Sequence, residues 1–249
     1  IYPVREEDNW NINPDALLKV IDKKKTKVLL INTPSNPTGN VVSKKILEEI
    51  ADIAVEYDLW IFSDEAYEKL IYDTPHVSIG SLNGMHDYVV TFNTFSKSYA
   101  MCGYRVGYVC GPEYIIKPMI KVSHYVTLAA PTISQFVALK ALQLSNKYIE
   151  MMRQEYERRR NYIVKRLNEI GLPTIMPHGA FYAFSNIQHL SKDSYTFARN
   201  LLNTAKVAVV PGREFGKYGE GYVRFSYATD IEKIKIGMER LEKFIRKRG

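Results

Sequence analysis

Short apolar runs alternate along the chain with stretches whose apolar residues recur at helical spacing. Asn13-Pro14-Asp15 predicts the start of one helix, and Ser43 starts another that runs to Tyr57. The apolar runs predict four strands, at 27–32, 59–63, 88–93 and 104–110. Strands that alternate with helices predict a mainly parallel sheet with helices on both faces, the doubly wound α/β class.

The pattern changes in the second half of the chain. A charged, helically periodic stretch at about 147–170 is long enough to connect two domains. Shorter apolar runs follow it and predict strands at 172–176, 180–185, 207–210 and 222–226, mixed with helices. We therefore predict a first domain at residues 1–150 and a smaller C-terminal α+β domain at residues 151–249.

Composition narrows the class of protein. The 249 residues are 46% hydrophobic and 24% charged, which is typical of a globular chain, and no apolar run is long enough for a membrane helix. The net charge of +7 comes from Lys and Arg that alternate with Glu, as at 155–160 and 239–248, which favours a solvated surface over a nucleic-acid site. Cys102 and Cys110 form no disulfide or metal motif, so we expect buried, unreactive thiols and a cytoplasmic location. The five histidines lack metal-ligand spacing.

Polar residues stand at the carboxyl ends of three predicted strands. Asn36 follows the first strand, Asp64 ends the second and Lys97 follows the third. Ligands of open parallel sheets bind outside the carboxyl ends of the strands, so these side chains are predicted to meet in one crevice. A lysine there is able to bond covalently to an aldehyde cofactor, although a single lysine is more commonly a solvated surface group.

Asp64 follows an apolar run, and a carboxylate at the buried end of a strand needs a cation facing it. The alternative is that Asp64 caps a helix that starts at Glu65. Tyr67 comes three residues after Asp64 and would face the same pocket on one helical turn. Core packing is the alternative for Tyr67.

Hydroxyl and guanidinium groups surround the predicted lysine site. Thr94 and Ser96 flank the third strand end, where turn formation would explain them equally well. Arg105 lies between glycines on the predicted fourth strand, and Arg224 lies within the last apolar run. An arginine in such a place grips a phosphate or carboxylate through its planar fork, or else forms a structural ion pair.

Four motifs occur in an order and at a spacing that resemble those of the class I and II aminotransferases of the aspartate aminotransferase fold, which are fold type I pyridoxal-phosphate enzymes. They are Asn36-Pro37-Thr38-Gly39, Ser63-Asp64-Glu65-Ala66-Tyr67, Ser96-Lys97-Ser98 with Arg105, and Val223-Arg224-Phe225-Ser226. The resemblance covers essentially the whole chain. It implies that residues 1–150 are part of the cofactor-binding large domain, which would be incomplete in this chain.

The resemblance assigns catalytic roles. It implies that Lys97 binds pyridoxal 5′-phosphate covalently and later carries a proton between the substrate Cα and the cofactor. Asp64 resembles the carboxylate that keeps the pyridine nitrogen of the cofactor protonated. Asn36 and Tyr67 resemble the donors to the phenolic oxygen of the cofactor.

The resemblance also assigns binding roles. Thr94, Ser96 and Arg105 resemble ligands of the cofactor phosphate. Arg224 resembles the fork that clamps the α-carboxylate of the substrate, with Asn36 beside it.

The implied reaction is a two-step amino transfer between an amino acid, preferably aspartate or an aromatic one, and a 2-oxo acid such as 2-oxoglutarate. A homodimer is implied for the full-length protein. A β-lyase or synthase on the same scaffold, or the effector-binding domain of a transcription regulator, remains an alternative.

Members of the family have a long segment before the position of Ile1 that supplies a stacking ring and part of the phosphate site. We therefore expect a fragment that is not a competent enzyme by itself.

Overall fold

The computed structural model describes residues 1–247, which divide into two compact units. Unit 1 consists of Ile1–Pro3, Ile12–Pro34 and Val41–Met151, and unit 2 consists of Val4–Asn11, Ser35–Asn40 and the chain from Met152 onward. The segments 4–11 and 35–40, which the sequence alone placed in the first domain, thus make their contacts in unit 2. Arg248 and Gly249, which the predicted second domain includes, lie outside the described residues. No helix within residues 1–247 is both long and apolar enough to cross a lipid bilayer.

Unit 1 is built on a four-stranded sheet in the order β1-β2-β3-β4. The strands are β1 (Val28–Asn32), β2 (Trp60–Asp64), β3 (Val89–Thr94) and β4 (Gly107–Cys110). The first three are parallel, and β4 runs antiparallel to β3. The predicted mainly parallel sheet is therefore confirmed, with each of the first three strands within a residue or so of its predicted position.

Helices pack against this sheet, and they cover the face that carries Ile31 more fully than the opposite face, where Leu30 is 62% exposed. They are α1 (Pro14–Leu18), α2 (Lys44–Glu56), α3 (Phe95–Ser98), α4 (Glu113–Val126), α5 (Thr132–Gln143) and the start of α6 (Lys147–Glu169). The predicted caps are present, because Asn13 and Ser43 accept hydrogen bonds from the first turns of α1 and α2. On one face, Ile31 and Ile61 pack in a core with Leu47 of α2. On the other face, the ring of Trp60 meets Tyr114 of α4 at 5.2 Å.

Strand β4 starts later than predicted, and its side chains are exposed. A 3₁₀ turn at Cys102–Tyr104 precedes it, and Arg105 has a left-handed backbone with φ 53°. A Cβ on Gly107 would lie 2.6 Å from the Asn93 carbonyl oxygen, so glycine permits the close pairing that starts the strand. Cys102 and Cys110 are both exposed, which contradicts the predicted burial. Cys110 lies on β4, the last strand of the sheet order, and Cys102 lies in the 3₁₀ turn before it, where no residue is buried.

Unit 2 contains a three-stranded antiparallel sheet in the order β5-β7-β6. Its elements are the rest of α6, β5 (Tyr182–Asn186), α7 (Ser194–Ala205), β6 (Val210–Pro211), β7 (Tyr222–Ser226) and α8 (Ile231–Arg246). The helices and the sheet share one core, which includes Leu167, Phe197 and Val223. The predicted strand at 172–176 is only one bridge, Thr174 to Ser185, since the prolines that flank it at 173 and 177 cannot donate ladder hydrogen bonds.

Helix α6 carries an ion-pair group on its surface. Both carboxylate oxygens of Glu155 accept hydrogen bonds from Arg158 at 2.8 Å, and Oε1 also accepts one from Arg159 at 2.8 Å. These hydrogen bonds lower the pKa of Glu155 from 4.5 to about 2. Because the folded-state pKa is depressed, the stabilisation is complete above pH 4.5 and is lost as the pH falls toward 2.

We expect Glu155→Gln to lower the midpoint of thermal unfolding at pH 7 by about 1–2 °C, because the pairs are partly exposed and screened by solvent. The difference from the parent should shrink as the pH falls below about 4 and become small near pH 2, where Glu155 is protonated in the unfolded state and about half protonated in the folded state. Thermal scans by circular dichroism from pH 2 to 7 measure this. A constant difference across that range would contradict the role assigned to the ion pairs.

Candidate functional site

The carboxyl ends of the three parallel strands bring polar groups to one edge of unit 1. Asn32 pairs in register with Asp64, and Asp64 pairs with Phe92 near the end of β3. The side-chain amide of Asn32 donates to the main-chain oxygen of Asp64 at 3.1 Å. Asp64 is therefore fixed at the end of β2 from both sides, in the position that the sequence predicts.

The carboxylate of Asp64 is half-buried, and few groups balance its negative charge. Its Oδ1 accepts a hydrogen bond from the main-chain N–H of Ala66 at 3.1 Å. The helix expected from Glu65 in the capping alternative is absent, and residues 66–69 form a turn instead. Among residues 1–247, Asp64 forms no ion pair with a lysine, arginine or histidine. The cation that the sequence predicts opposite Asp64 is thus not supplied by this part of the chain.

Lys97 and Tyr67 lie close together in unit 1. Lys97 belongs to α3, which starts directly after β3, and its Nζ lies 6.0 Å from the centroid of the Tyr67 ring. Tyr67 is buried, whereas Lys97 is half-buried. The tyrosine is therefore packed, as the core alternative has it, and its ring also lies near the amine.

The hydroxyl groups before and after Lys97 have different surroundings. Thr94 caps α3, since its Oγ1 accepts from the Ser96 N–H at 3.1 Å, which agrees with the turn-forming alternative. The main-chain oxygen of Ser96 accepts from Cys102 Sγ at 2.9 Å. Ser98 was not among the predicted site residues, and its buried Oγ has no hydrogen-bond partner within residues 1–247. The segment after β3 thus carries three hydroxyls close in sequence to one lysine.

Arg105 differs from the prediction in its local structure. Arg105 itself has the left-handed backbone that ends the 3₁₀ turn, so it does not lie on a strand. Its side chain is exposed. Its Nη1 donates to the main-chain oxygen of Cys102 at 2.8 Å. It forms no ion pair within residues 1–247, so the structural ion-pair alternative finds no support there. Its positive charge is available to an anion.

Arg224 and Asn36 form a second group of predicted residues, which lies in unit 2. Arg224 is on the central strand β7, and its Nη1 donates to Asn36 Oδ1 at 2.6 Å. The guanidinium lies 4.3 Å from the ring of Tyr182 and 5.1 Å from that of Phe215. No carboxylate in the described chain pairs with it, and its buried Nε has no hydrogen-bond partner there. This rigid, uncompensated cation is suited to a carboxylate ligand.

The turn that contains Asn36 is held tightly. Gly39 N–H donates to the Ser35 oxygen at 2.9 Å, and the Gly39 oxygen accepts from the main-chain N–H groups of His178 and Gly179 at 2.9 and 2.8 Å. Gly39 has φ +67°, and a Cβ on it would lie 2.4 Å from Pro177 Cβ and 2.8 Å from the Gly179 oxygen. Only glycine fits this position, and the fit fixes the loop that presents Asn36.

Two further groups in unit 1 were missed by reasoning from the sequence. Glu65 is buried beside Asp64 and bonds to Ser63, His76 and Ser78. The position of Glu65 directly after an apolar strand indicates burial, but the sequence does not predict which side chains it bonds to. Tyr108 on β4 is 41% exposed, and the desolvation of its covered part, followed by the charges of nearby groups led by Glu68, raises its pKa to about 12. Tyr108 is therefore a neutral phenol near pH 7.

The chain that ends β2 and β3 thus presents the Asp64 carboxylate, the Lys97 amine near the ring of Tyr67, and the hydroxyls of Thr94, Ser96 and Ser98. Arg105 follows, and its guanidinium forms no ion pair among residues 1–247. No cluster of three histidine, cysteine, aspartate or glutamate side chains suited to a metal ion occurs in the part of the chain that the structure describes.

Comparison with known proteins identifies the relatives of this chain. Residues 1–241 match the profile of the family described as aminotransferase class I and II. The chain is 51% identical to an aspartate aminotransferase of Pyrococcus abyssi and 47% identical to aromatic-amino-acid aminotransferase 2 of Thermococcus litoralis, with 99% of the chain covered in each case. The crystal structure of an aromatic aminotransferase from Pyrococcus horikoshii superposes with a TM-score of 0.96 at 50% identity, covering 99% of this chain and 67% of that one. The chain spans 64% of the length of the first two relatives.

Proposed function

Because the chain belongs to the class I and II aminotransferases, we propose that it carries active-site residues of a pyridoxal-phosphate-dependent enzyme that transfers an amino group from an amino acid to a 2-oxo acid. The observation that carries this proposal is the uncompensated Asp64 carboxylate at the end of β2, in the same unit as the Lys97 amine that faces Tyr67. A carboxylate suits the pyridine nitrogen of the cofactor, an amine suits its aldehyde, and a phenol suits its ring oxygen.

Pyridoxal 5′-phosphate, when bound, supplies an aldehyde that combines with amines and a ring that accepts electron density. Lys97 would hold the cofactor through its amine. When a substrate amine occupies the cofactor instead, the Lys97 amine would accept the proton of the substrate Cα and donate it to the cofactor, which is general base and general acid catalysis by one group. Lys97 is half-buried in the short helix α3, directly after the end of β3, which suits this role.

Asp64 keeps a proton on the ring nitrogen. An ionised carboxylate opposite that nitrogen favours its protonated form by charge attraction and hydrogen bonding. Tyr67 and Asn36 donate hydrogen bonds to the ring oxygen and so fix the plane of the ring. The register of Asp64 between Asn32 and Phe92 supports a fixed carboxylate, since neither neighbour allows the strand end to move freely.

Thr94, Ser96 and Arg105 bind the phosphate of the cofactor. Arg105 supports this role because its charge is exposed and forms no ion pair among the described residues. A phosphate dianion is a favourable partner for a guanidinium, which offers two parallel donors. The hydroxyl of Thr94 already caps α3, so its contribution to the phosphate adds to a structural role.

Arg224 binds the α-carboxylate of the amino acid and of the 2-oxo acid. The guanidinium lies against the rings of Tyr182 and Phe215, and its Nη1 already donates to Asn36. A carboxylate is the complementary ligand for its charge and its remaining donors. Asn36 contributes to the same substrate site.

Aspartate or an aromatic amino acid is the proposed donor, and 2-oxoglutarate is the proposed acceptor. The two relatives are named for aspartate and for aromatic amino acids, and both names are those of aminotransferases. This favours amino transfer over the β-lyase, synthase and regulator alternatives. We also propose a homodimer, as the resemblance implies, and a cytoplasmic location, because Cys102 and Cys110 form no disulfide motif.

The test is an isotope transfer. Purified protein that contains this chain is incubated with pyridoxal 5′-phosphate, 2-oxoglutarate and ¹⁵N-labelled aspartate or tyrosine, and glutamate is analysed by mass spectrometry. Labelled glutamate with equimolar loss of the donor amine is expected. Ammonia release, or a carbon–carbon condensation product without labelled glutamate, would contradict amino transfer and favour a lyase or a synthase.

Arg224→Leu should raise the KM for the amino acid and for the 2-oxo acid by about 10²-fold, because one bidentate charge-assisted contact is lost. Amines without a carboxylate should react at nearly the rate seen in the parent. Arg199→Leu, at an exposed arginine on α7, is the matched control and should leave both constants unchanged. An unchanged KM in the Arg224 variant would refute the clamp.

A further inference from the structure

A buried carboxylate directly follows Asp64, and the proposed chemistry does not use it. Glu65 is 2% exposed. Its Oε1 accepts hydrogen bonds from the hydroxyls of Ser63 and Ser78, each at 2.8 Å. Its Oε2 lies 2.9 Å from Nε2 of His76, whose side chain is 8% exposed. Side chains from two separate stretches of chain therefore converge on one carboxylate.

Burying such a polar network in a protein interior costs free energy. A buried carboxylate loses its hydration and regains it only in part through hydrogen bonds, so apolar side chains of the same volume would stabilise the fold at least as well. What the network offers instead is a fixed geometry, because each of its partners is directional. We therefore ask which part of the chain this network fixes in position.

The network closes a loop at the end of β2. The main-chain N–H of Glu65 donates to the Phe92 oxygen at 2.9 Å, which extends the sheet one residue past Asp64. The other ring nitrogen of His76, Nδ1, is buried without a hydrogen-bond partner in the described chain, so Glu65 is the group that orients the imidazole. The contact between Glu65 and His76 thus ties both ends of residues 66–75 to the sheet.

The closed loop carries Tyr67. Leu70 is fully buried and Tyr67 is 5% exposed, so the first half of the loop is packed inward. The Tyr67 ring lies 6.0 Å from Lys97 Nζ. We propose that Glu65 and His76 are positioning residues, which hold this loop so that Tyr67 stays beside the Lys97 amine. The role rests on the proposed function, in which Tyr67 donates a hydrogen bond to the ring oxygen of the cofactor.

The expected consequence is spectroscopic. A hydrogen bond from Tyr67 makes the ring oxygen a weaker partner for the proton on the Lys97 nitrogen, so that proton leaves at lower pH. Tyr67→Phe should raise the midpoint pH of the visible absorption change of the Lys97-bound cofactor by about one pH unit or more. Glu65→Ala should raise it by a substantial part of that shift, because a freed loop holds Tyr67 less firmly.

The decisive experiment is a mutant cycle in the whole protein that contains this chain. The midpoint is measured in the parent, Glu65→Ala, Glu65→Gln, Tyr67→Phe and the double variant Glu65→Ala/Tyr67→Phe. Glu65→Gln keeps the shape and two acceptor contacts and should retain most of the parent value. The double variant should match Tyr67→Phe alone, because Glu65 acts through Tyr67. Glu48→Ala, at an exposed glutamate on α2, is the control.

An unmoved midpoint in Glu65→Ala, or a double variant whose shift equals the sum of the two single shifts, would overturn the proposal. If Glu65→Ala does not fold, His76→Gln makes the same test, with exposed His86→Gln as its control. Absence of a visible band in the parent would refute the proposed function and this role together. A normal band with an unmoved midpoint would refute this role alone.

Hydrogen exchange in the cofactor-free protein tests the loop closure separately. The amides of residues 66–75 should exchange about tenfold faster in Glu65→Ala and in His76→Gln, while those of α2 keep their parent rates. Equal acceleration throughout unit 1 would show that the network only adds global stability, and would contradict a positioning role.

Discussion

Replacing Lys97 with alanine should abolish covalent cofactor binding and lower the rate of amino transfer by at least about 10⁴-fold. Removal of a general base alone costs about 10²–10⁴, and this variant also loses the covalent attachment. We expect no other lysine to replace it, because Lys97 combines a position directly after a parallel strand end with a contact to Tyr67. The visible absorption of the bound cofactor and single-turnover amino transfer are the two measurements.

The control for that variant is Lys121→Ala, at an exposed lysine on α4, which should keep both the band and the rate. Circular dichroism of each variant verifies the fold. If Lys97→Ala turned over at the parent rate, the proposed chemistry would belong to another residue.

Asp64→Asn should slow the proton transfer at the substrate Cα by about 10²–10³-fold, the cost typical of losing one aligned electrostatic group. Asparagine keeps the size of the side chain and the contact with the Ala66 N–H, but it removes the negative charge opposite the ring nitrogen. Cofactor content should fall much less than the rate, because the covalent bond to Lys97 and the phosphate contacts remain.

The comparison needed is the single-turnover rate with a ²H-labelled Cα against cofactor occupancy after dialysis. Asp52→Asn, at an exposed aspartate on α2, is the matched control and should change neither. Equal losses of rate and occupancy in Asp64→Asn would mean that Asp64 is structural.

The strand ends were predictable because their signal is local. An apolar run followed by a polar residue locates the end of a buried strand, and this rule located Asp64 and the lysine after β3. The parallel order of β1, β2 and β3 followed from the helix between the first two strands and brings Asn32, Asp64 and Thr94 to one edge. Helix starts at Asn13 and Ser43 were equally local, since each is a cap read from one or two residues.

The errors came from features that depend on distant residues or on backbone conformation. Arg105 appears within an apolar stretch, yet a left-handed residue before Gly107 delays the strand and exposes its side chain. Cys102 is exposed in the 3₁₀ turn that Arg105 ends, and Cys110 is exposed because β4 ends the sheet order. Apolar character alone does not distinguish a central strand from an edge strand.

Hydrogen bonds between side chains that are distant in the sequence could not be predicted either. The hydrogen bond from Arg224 to Asn36 joins residues far apart in the chain, and reasoning from the sequence predicted a ligand for each of them but not the bond between them. The bond between Glu65 and His76 is similar, since a histidine in a loop carries no sign of the carboxylate that it meets. Both pairs become visible only once the backbone is folded.

The central claim is that Lys97 bonds to the cofactor, and reductive trapping tests it most directly. The protein that contains this chain is loaded with pyridoxal 5′-phosphate, dialysed and reduced with borohydride, and its peptides are mapped by mass spectrometry. We predict near-stoichiometric attachment of the reduced cofactor to the peptide that contains Lys97, and none on that peptide in Lys97→Ala. Attachment to a different lysine, or no stable attachment in the unmodified protein, would contradict the role of Lys97.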